Sequence, residues 1–161
     1  MKKPPAVAAN FSGNITVLAV DSCAEDCAAL ANTFKTGPWS LCPEVHWTLT
    51  TAGTLGAAWS VLREGQIPIV LCECDRQPAL WHELLEQIAL SPNPPFLIVT
   101  SRLADDRLWA EALNLGAYDV LAKPFDGSEV TRVVSMAWMH WRDQRGHRAL
   151  APRTLVAGGG R

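Results

Sequence analysis

The 161-residue chain carries little net charge, because 14 Lys and Arg residues nearly balance 16 Asp and Glu residues and leave a formal charge of −2. A basic footprint for nucleic acid is therefore missing, and so is the charge that would attract an acidic membrane surface. No apolar run approaches the ~18 uncharged residues that a membrane-spanning helix needs. We therefore expect neither direct nucleic-acid binding nor a membrane segment.

We also expect no secretory leader here, since the basic start, MKK, is followed by two prolines rather than by an apolar stretch. Five cysteines are an odd number, which argues against a complete disulfide framework. These features predict a cytoplasmic protein with free thiols. The less favoured alternative is a redox pair or soft-metal site among Cys23, Cys27, Cys72 and Cys74, whose spacings do not match an ordinary zinc site.

What the chain does have is a regular alternation of strand and helix patterns between residues 14 and 147. Five β-rich apolar runs each precede a stretch of helical spacing, with no repeat and no second domain. Residues 1–13 are expected to form a flexible arm and residues 148–161 a flexible tail. In the first helix Ser22 is the expected N-cap, with Glu25 completing a capping box. The alternation predicts right-handed crossovers and a parallel sheet with helices on both faces.

Polar side chains stand where four of the predicted strands end. In an open parallel sheet the reactive crevice lies beyond the carboxyl ends of the strands, so these side chains are expected to meet. They are Asp21 and Ser22 after the first strand, Glu73 and Asp75 at the third, Thr100 after the fourth and Lys123 after the fifth.

Residues 96–126, FLIVTSRLADDRLWAEALNLGAYDVLAKPFD, resemble the fourth strand, fourth helix and fifth strand of response-regulator receiver domains. The resemblance extends over about residues 14–145. It implies a flavodoxin-like (βα)5 fold with the strand order 2-1-3-4-5. It also implies that Thr100 is the switch hydroxyl and Lys123 the lysine that contacts the phosphate. The Lys123–Pro124 bond is similar to one that is usually cis in this family.

The chain departs from the receiver pattern at the site itself. Counting back from the leucine pair at residues 84 and 85 puts Glu73, not Asp75, at the phosphoacceptor position. Ser22 stands where receivers usually have a second acid, so Mg²⁺ is expected to bind Asp21 and Glu73 weakly or not at all. Glu73 is expected to pair with Lys123 and hold one constitutive, phosphate-like state, unless these groups are only a structural ion pair.

Large apolar side chains line the last helix, and receivers often associate through their fourth helix, fifth strand and fifth helix. We therefore expect a homodimer or a protein partner on this face, the alternative being that these side chains only pack within the chain. Val120 replaces the usual switch aromatic residue, which lies two positions earlier as Tyr118. The expected interface residues are Tyr118, Val120, Val134, Trp138 and Trp141.

These observations predict an atypical receiver module that is not an enzyme, carries no cofactor, is not phosphorylated and signals through protein contacts. One alternative is a working phosphoacceptor in a phosphorelay, using Glu73 or Asp75 with Mg²⁺. A flavodoxin-like binder of a small ligand ranks last, because no Gly-rich phosphate loop follows the first strand.

Overall fold

The structure, a computed structural model, describes residues 13–150, so most of the expected arm and residues 151–161 of the expected tail lie outside it. Five parallel strands pair in the order β2-β1-β3-β4-β5, which confirms the predicted topology. The strands are β1 Asn14–Val20, β2 His46–Ala52, β3 Ile69–Glu73, β4 Phe96–Ser101 and β5 Asp119–Ala122. The helices are α1 Ala24–Thr36, α2 Leu55–Glu64, α3 Pro78–Ile88, α4 Asp106–Leu115 and α5 Gly127–Leu150. None of the helices within residues 13–150 is both long and apolar enough to cross a membrane.

The sheet divides two apolar cores. Helices α1 and α5 cover one face through side chains such as Leu30 and Trp138, and α2, α3 and α4 cover the other through side chains such as Trp81 and Leu84. The central strand β3 is buried at all five positions, which explains its unbroken apolar run. Polar residues that end these strands are therefore held on a rigid support.

The helix termini differ in part from the expected caps. Helix α1 begins at Ala24 and its N-cap is Cys23, which makes no side-chain capping bond. The predicted Ser22–Glu25 capping box is therefore wrong. Asp21 supplies the side-chain hydrogen bond before the helix instead, because its Oδ1 accepts from the Cys23 backbone N–H at 2.8 Å. The acid at the β1 exit thus stabilises the turn into α1.

Helix α5 is a core helix over most of its length and continues to Leu150, beyond the expected boundary at residue 147. Val134, Trp138 and Trp141 lie on one helical stripe and are at most 4% exposed. Val120 in β5 is 2% exposed. These four residues cannot offer side-chain surface to a partner, so their assignment to an interface was wrong. They fill the contact of α5 and β5 with the rest of the fold, and of the predicted interface set only Tyr118 remains partly exposed.

This packing predicts that Trp138→Ala lowers the free energy of unfolding by about 3–5 kcal/mol, because it opens a cavity inside the core. Urea denaturation followed by circular dichroism measures the change. The matched control is Trp109→Ala, at a tryptophan that is 39% exposed on α4, where we expect a much smaller loss. Equal losses in the two variants would contradict the core assignment of Trp138.

Candidate functional site

The carboxyl ends of β1, β3, β4 and β5 place the predicted polar residues at one edge of the sheet. Glu73 is in register with Thr100, and Ser101 with Ala122, so the strand ends are level and Lys123 follows directly. Asp21, Glu73, Thr100 and Lys123 are all at most 6% exposed. The structure thus brings the residues of the strand ends into a common polar layer.

The most buried contact of this layer is an ion pair of Lys123 with two carboxylates. Its Nζ donates to Asp21 Oδ2 at 2.7 Å and to Asp26 Oδ2 at 2.9 Å. The lysine side chain is only 1% exposed, and those of Asp21 and Asp26 are 3% and 10% exposed. A charge buried this deeply is stable only when it is paired and hydrogen-bonded, as it is here.

Asp26 is a site residue that the sequence reasoning missed. It lies in the first turn of α1, and its carboxylate also accepts two hydrogen bonds from Arg102 Nη2, at 2.9 and 3.2 Å. Arg102 follows β4, so this carboxylate joins α1 to the β4–α4 loop as well as to Lys123. The only signal in the sequence is a second acid beside Glu25, and acids are common in first turns because they complement the helix dipole.

The electrostatics of the cluster stabilise its charged forms. Burial alone would raise the pKa of Asp26, but the hydrogen bond and charge of Lys123, helped by Cys23 and Arg102, hold that pKa below its usual value. Burial alone would lower the pKa of Lys123, but its hydrogen bonds to Asp21 and Asp26 raise it instead. Both groups therefore remain ionised over the ordinary pH range.

Glu73 does not pair with Lys123. Its Oε1 accepts a hydrogen bond from the backbone N–H of Arg76 at 2.5 Å, so the carboxylate closes the loop between β3 and α3. The Lys123 ammonium is bound instead to Asp21 and Asp26. The expected Glu73–Lys123 ion pair is thus wrong, because the longer side chain folds back onto its own loop.

Asp75, the other candidate phosphoacceptor, is directed to the β4–α4 loop. Its Oδ1 accepts from the Ser101 hydroxyl at 2.5 Å and its Oδ2 from the Arg102 backbone N–H at 2.8 Å. Ser101 Oγ in turn accepts from the Leu103 N–H at 3.0 Å. Asp75 and Asp26 therefore fix the same loop, one through its backbone and the other through the Arg102 side chain.

The remaining site residues lie where the resemblance implied. The Lys123–Pro124 peptide bond is cis, and Thr100 is 2% exposed beside Glu73. Ser22 is exposed at the β1 exit, where its hydroxyl accepts from Arg76 Nη1 at 3.4 Å. A cation therefore approaches Ser22, although this position lacks the usual second acid.

Tyr118 is tied to the last helix rather than to the strand-end cluster. Its hydroxyl lies 2.6 Å from His140 Nδ1, and its ring stacks on Phe96 at 5.1 Å. Burial, followed by the charge of Asp119, raises the pKa of the phenol. The ring is thus held between Phe96 of β4 and His140 of α5, and its hydroxyl is bonded to His140 rather than to Thr100.

The cysteines give no support to a redox or metal site. All five are free, and burial raises the pKa of the Cys27, Cys42 and Cys74 thiols and that of Cys72 to about 12. Burial thus disfavours the reactive thiolate form at these four positions. Within residues 13–150, no group of three or more His, Cys, Asp or Glu residues is arranged to hold a metal ion.

No protein-family model matches the chain, and neither does any curated protein. Solved structures do match. A response regulator from Thermotoga maritima is 20% identical over 77% of this chain and 97% of its own, with a TM-score of 0.65. A signal receiver domain of an HD domain-containing protein from Pseudomonas fluorescens Pf-5 is 24% identical over 82% and 92%, with a TM-score of 0.63. The fold is that of response-regulator receiver domains. NtrX from Brucella abortus matches at 19% identity over 84% of this chain and 28% of its longer one, with a TM-score of 0.66.

The donor set of this receiver fold does not fit the divalent cation that the resemblance implied for Asp21 and Glu73. Asp21 and Asp26 already bind an ammonium, Asp26 also binds a guanidinium, and Glu73 binds a backbone N–H. Mg²⁺ needs several oxygen ligands in a near-octahedral shell. A metal ion at this place would have to displace Lys123 from both carboxylates, so we derive no step through it.

We expect Asp26→Asn to lower the free energy of unfolding at neutral pH by about 3 kcal/mol, the low end for a broken buried ion pair, because Lys123 keeps Asp21. The folded-state pKa of Asp26 lies below its ordinary value of 3.8, so the stability that its charge contributes is present above that pH. The difference between wild type and variant should therefore shrink as the pH falls below about 4.

Urea unfolding at a series of pH values measures this difference. The exposed neighbour Glu25 supplies the matched control, since Glu25→Gln should change stability by less than about 0.5 kcal/mol. A difference between wild type and Asp26→Asn that grew on acidification would contradict the assignment.

Proposed function

We propose that this chain is an atypical receiver module of signal transduction that acts through protein contacts without being phosphorylated. The observation that carries the proposal is the position of Lys123, whose ammonium is bound by Asp21 and Asp26 rather than by Glu73. A lysine held in this way is not available to an acid at the phosphoacceptor position. Five free cysteines are compatible with a cytoplasmic location, which is part of the proposal.

The state of the two candidate phosphoacceptors supports the same conclusion. A carboxylate nucleophile must face its phosphoryl donor in line, and a displacement of ~1 Å can cost ~100-fold in rate. Glu73 Oε1 accepts a hydrogen bond from a loop N–H, and the two oxygens of Asp75 accept hydrogen bonds from Ser101 at the end of β4 and from the Arg102 N–H that follows it. Attack by either carboxylate would require these bonds to break first.

The β4–α4 loop is fixed in a way that favours a constant surface over a switch. Asp75 binds Ser101 and the Arg102 backbone, and Asp26 binds the Arg102 side chain. Val120 has no ring that could rotate between exposed and buried positions. The module is therefore proposed to present one surface continuously, with its output set by partner abundance.

The proposed contact surface is the α4–β5–α5 face, here defined by Trp109, Leu113, Tyr118, Met136 and His140. Trp109 and Leu113 are four residues apart on α4 and are 39% and 47% exposed, and Met136 on α5 is 37% exposed. Tyr118, directly before β5, and His140 of α5 are joined by their 2.6 Å contact. Exposed aromatic and Met side chains are enriched in partner-binding surfaces.

Helical spacing places this apolar stripe of α4 away from α3. Glu111 is the α4 residue that contacts His82 of α3, at 3.0 Å, and it lies on the flank opposite Trp109 and Leu113. The stripe is therefore free to meet a second copy or another protein. We propose homodimerisation through this face, with recruitment of a signalling partner as the second possibility.

The absence of phosphorylation is tested by incubating the protein with acetyl phosphate and Mg²⁺ and measuring intact mass. We expect no phosphoryl adduct, because neither Glu73 nor Asp75 is free for in-line attack and Lys123 is already bound by two carboxylates. A receiver of proven activity, treated in parallel, verifies the donor. Stoichiometric labelling that disappears in Glu73→Ala or Asp75→Ala would instead establish the working phosphoacceptor.

The contact surface is tested by sedimentation velocity over a range of protein concentrations. We expect a dimer that is weakened at least tenfold by Trp109→Glu, because a charge would then lie within the apolar contact. Leu41→Glu is the matched control, since Leu41 is 51% exposed in the α1–β2 loop, away from the α4–β5–α5 face. A wild-type protein that stays monomeric at high concentration would contradict homodimerisation.

A further inference from the structure

A groove at the opposite edge of the sheet, beside β2, has no part in the proposed function. It encloses about 530 Å³ and is lined by residues 45–49, which are Val45 and the start of β2, and by α1 and the following loop through Phe34, Lys35 and Trp39. We call it the edge groove. Because five consecutive residues line it, it runs along the edge strand rather than into the core.

Three aromatic rings form the wall of the edge groove. Trp39 stacks on Trp47 with ring centroids 4.7 Å apart and planes inclined by 21°. Phe34 meets Trp39 edge-on at 5.0 Å. Phe34 and Trp47 are 8% and 7% exposed, whereas Trp39 is only half-buried. Such a wall is apolar and aromatic, and it suits a large apolar side chain of a ligand.

Two hydrogen-bond donors in this wall are unused. The indole N–H groups of Trp39 and Trp47 are buried and have no acceptor in the structure. Buried tryptophan N–H groups normally find a partner, and leaving one unmade is costly. The contrast within the same core is Trp141, whose N–H donates to the Pro94 carbonyl at 3.0 Å. Because both nitrogens are buried, a ligand can relieve this cost only if the half-buried Trp39 ring turns on binding and brings its N–H to an acceptor.

The backbone of β2 offers further unpaired groups at the same place. In the described sheet β2 pairs with β1 alone. The His46 N–H donates to Gly13 O and the Ala52 carbonyl accepts from the Asp21 N–H, so even-numbered residues of β2 turn their backbone groups to β1. Since successive residues alternate, Trp47 and Leu49 turn theirs to the open edge.

This edge also lacks the usual protection against strand addition. Natural proteins blunt exposed edges with lysine, proline, a bulge or very short strands. The β2 sequence, HWTLTTA, is seven residues long and contains neither lysine nor proline, and its register with β1 is continuous. The edge groove and the open strand thus form one continuous surface with unpaired donors.

We propose that the edge groove binds an extended peptide of a partner protein, which adds to β2 as a sixth strand and inserts one large apolar side chain against Trp39 and Trp47. Peptide carbonyls supply acceptors to the Trp47 and Leu49 amides, and one of them accepts from the Trp39 indole N–H once that ring turns toward the peptide. The groove lining contains Lys35 and exposed His46 but no acidic residue, so charge complementarity favours an acidic residue in the peptide.

This site is independent of the proposed α4–β5–α5 face. The two surfaces lie at opposite edges of the sheet, since β2 and β5 are its outer strands. A peptide on β2 and a protein on the α4–β5–α5 face can therefore be bound at the same time. The module would then connect two partners without a conformational change between its two binding surfaces.

The test uses the full chain, labelled with ¹⁵N, and a set of end-capped seven-residue peptides of alternating valine and threonine. The central residue is leucine, phenylalanine or tryptophan, and one threonine is replaced by glutamate or, in the matched set, by lysine. We expect shifts of the Trp47 and Leu49 amides and of the Trp39 and Trp47 indole N–H signals. Glutamate peptides should bind more tightly than lysine peptides, and the difference should decrease with added salt.

The discriminating variant is Trp39→Phe, which keeps a ring in the wall and removes one indole N–H. We expect it to bind the best peptide about fivefold more weakly, the effect of one neutral hydrogen bond, while the free protein is as stable as wild type or more so. Trp59→Phe, in the core on the other face of the sheet, should leave binding unchanged. A merely structural Trp39 would instead lower stability and leave peptide affinity intact.

Three outcomes would overturn the proposal. One is that no peptide of the set shifts the Trp47 or Leu49 amide at millimolar concentration while the protein is folded. Another is that these amides shift with protein concentration in the absence of peptide, which would make a second copy of the chain the occupant. The third is that free indole-3-acetate moves the indole signals without the edge amides, which would indicate a small aromatic ligand.

Discussion

The structure depends on one buried contact, the Lys123 ammonium between the Asp21 and Asp26 carboxylates. Removing these charges from water is costly, so the contact persists only because each group satisfies another. It joins the end of β5 to the end of β1 and to the first turn of α1, and Arg102 extends it to the β4–α4 loop. Four elements are thus fixed relative to one another by a single polar layer above an apolar sheet.

Because of this polar layer, the chain has the receiver fold without the free groups that phosphorylation requires. A phosphoacceptor site needs a free carboxylate, an available lysine and oxygen ligands for a cation. Here the Glu73 and Asp75 carboxylates are hydrogen-bonded to loop N–H groups, and the Lys123 ammonium is paired with the Asp21 and Asp26 carboxylates. The contacts that stabilise the fold therefore occupy the same carboxylates and lysine that phosphorylation would require. Under the two proposals, partner specificity resides in the α4–β5–α5 face and in the edge groove, and the strand-end cluster holds the strands between them in place.

The fold could be predicted from the sequence because strand–helix alternation leaves few topologies, and the resemblance supplied the strand order and the cis Lys123–Pro124 bond. The strand-end residues followed from topology as well. The hydrogen-bond partners of these residues could not be predicted in the same way. Asp26 looks like any acid in a first helical turn, and the direction of the Glu73 side chain is decided by a loop N–H that the sequence does not position. Composition alone could not distinguish Trp138 in the core from a tryptophan at an interface.

The tryptophans show why burial alone is a poor guide to binding surfaces in this chain. Trp141 and Trp47 are both nearly inaccessible, at 4% and 7%, yet only Trp141 donates its N–H to a carbonyl. The Trp141 side chain is thus both packed and hydrogen-bonded within the fold. The indole N–H groups of Trp47 and Trp39, beside an open strand edge, have no acceptor in the structure. An unmade hydrogen bond is costly where the polar group is buried, because water cannot replace the missing partner. Two stacked indoles whose buried N–H groups lack an acceptor, beside an open strand edge, are therefore the features that mark the edge groove, rather than exposed apolar area.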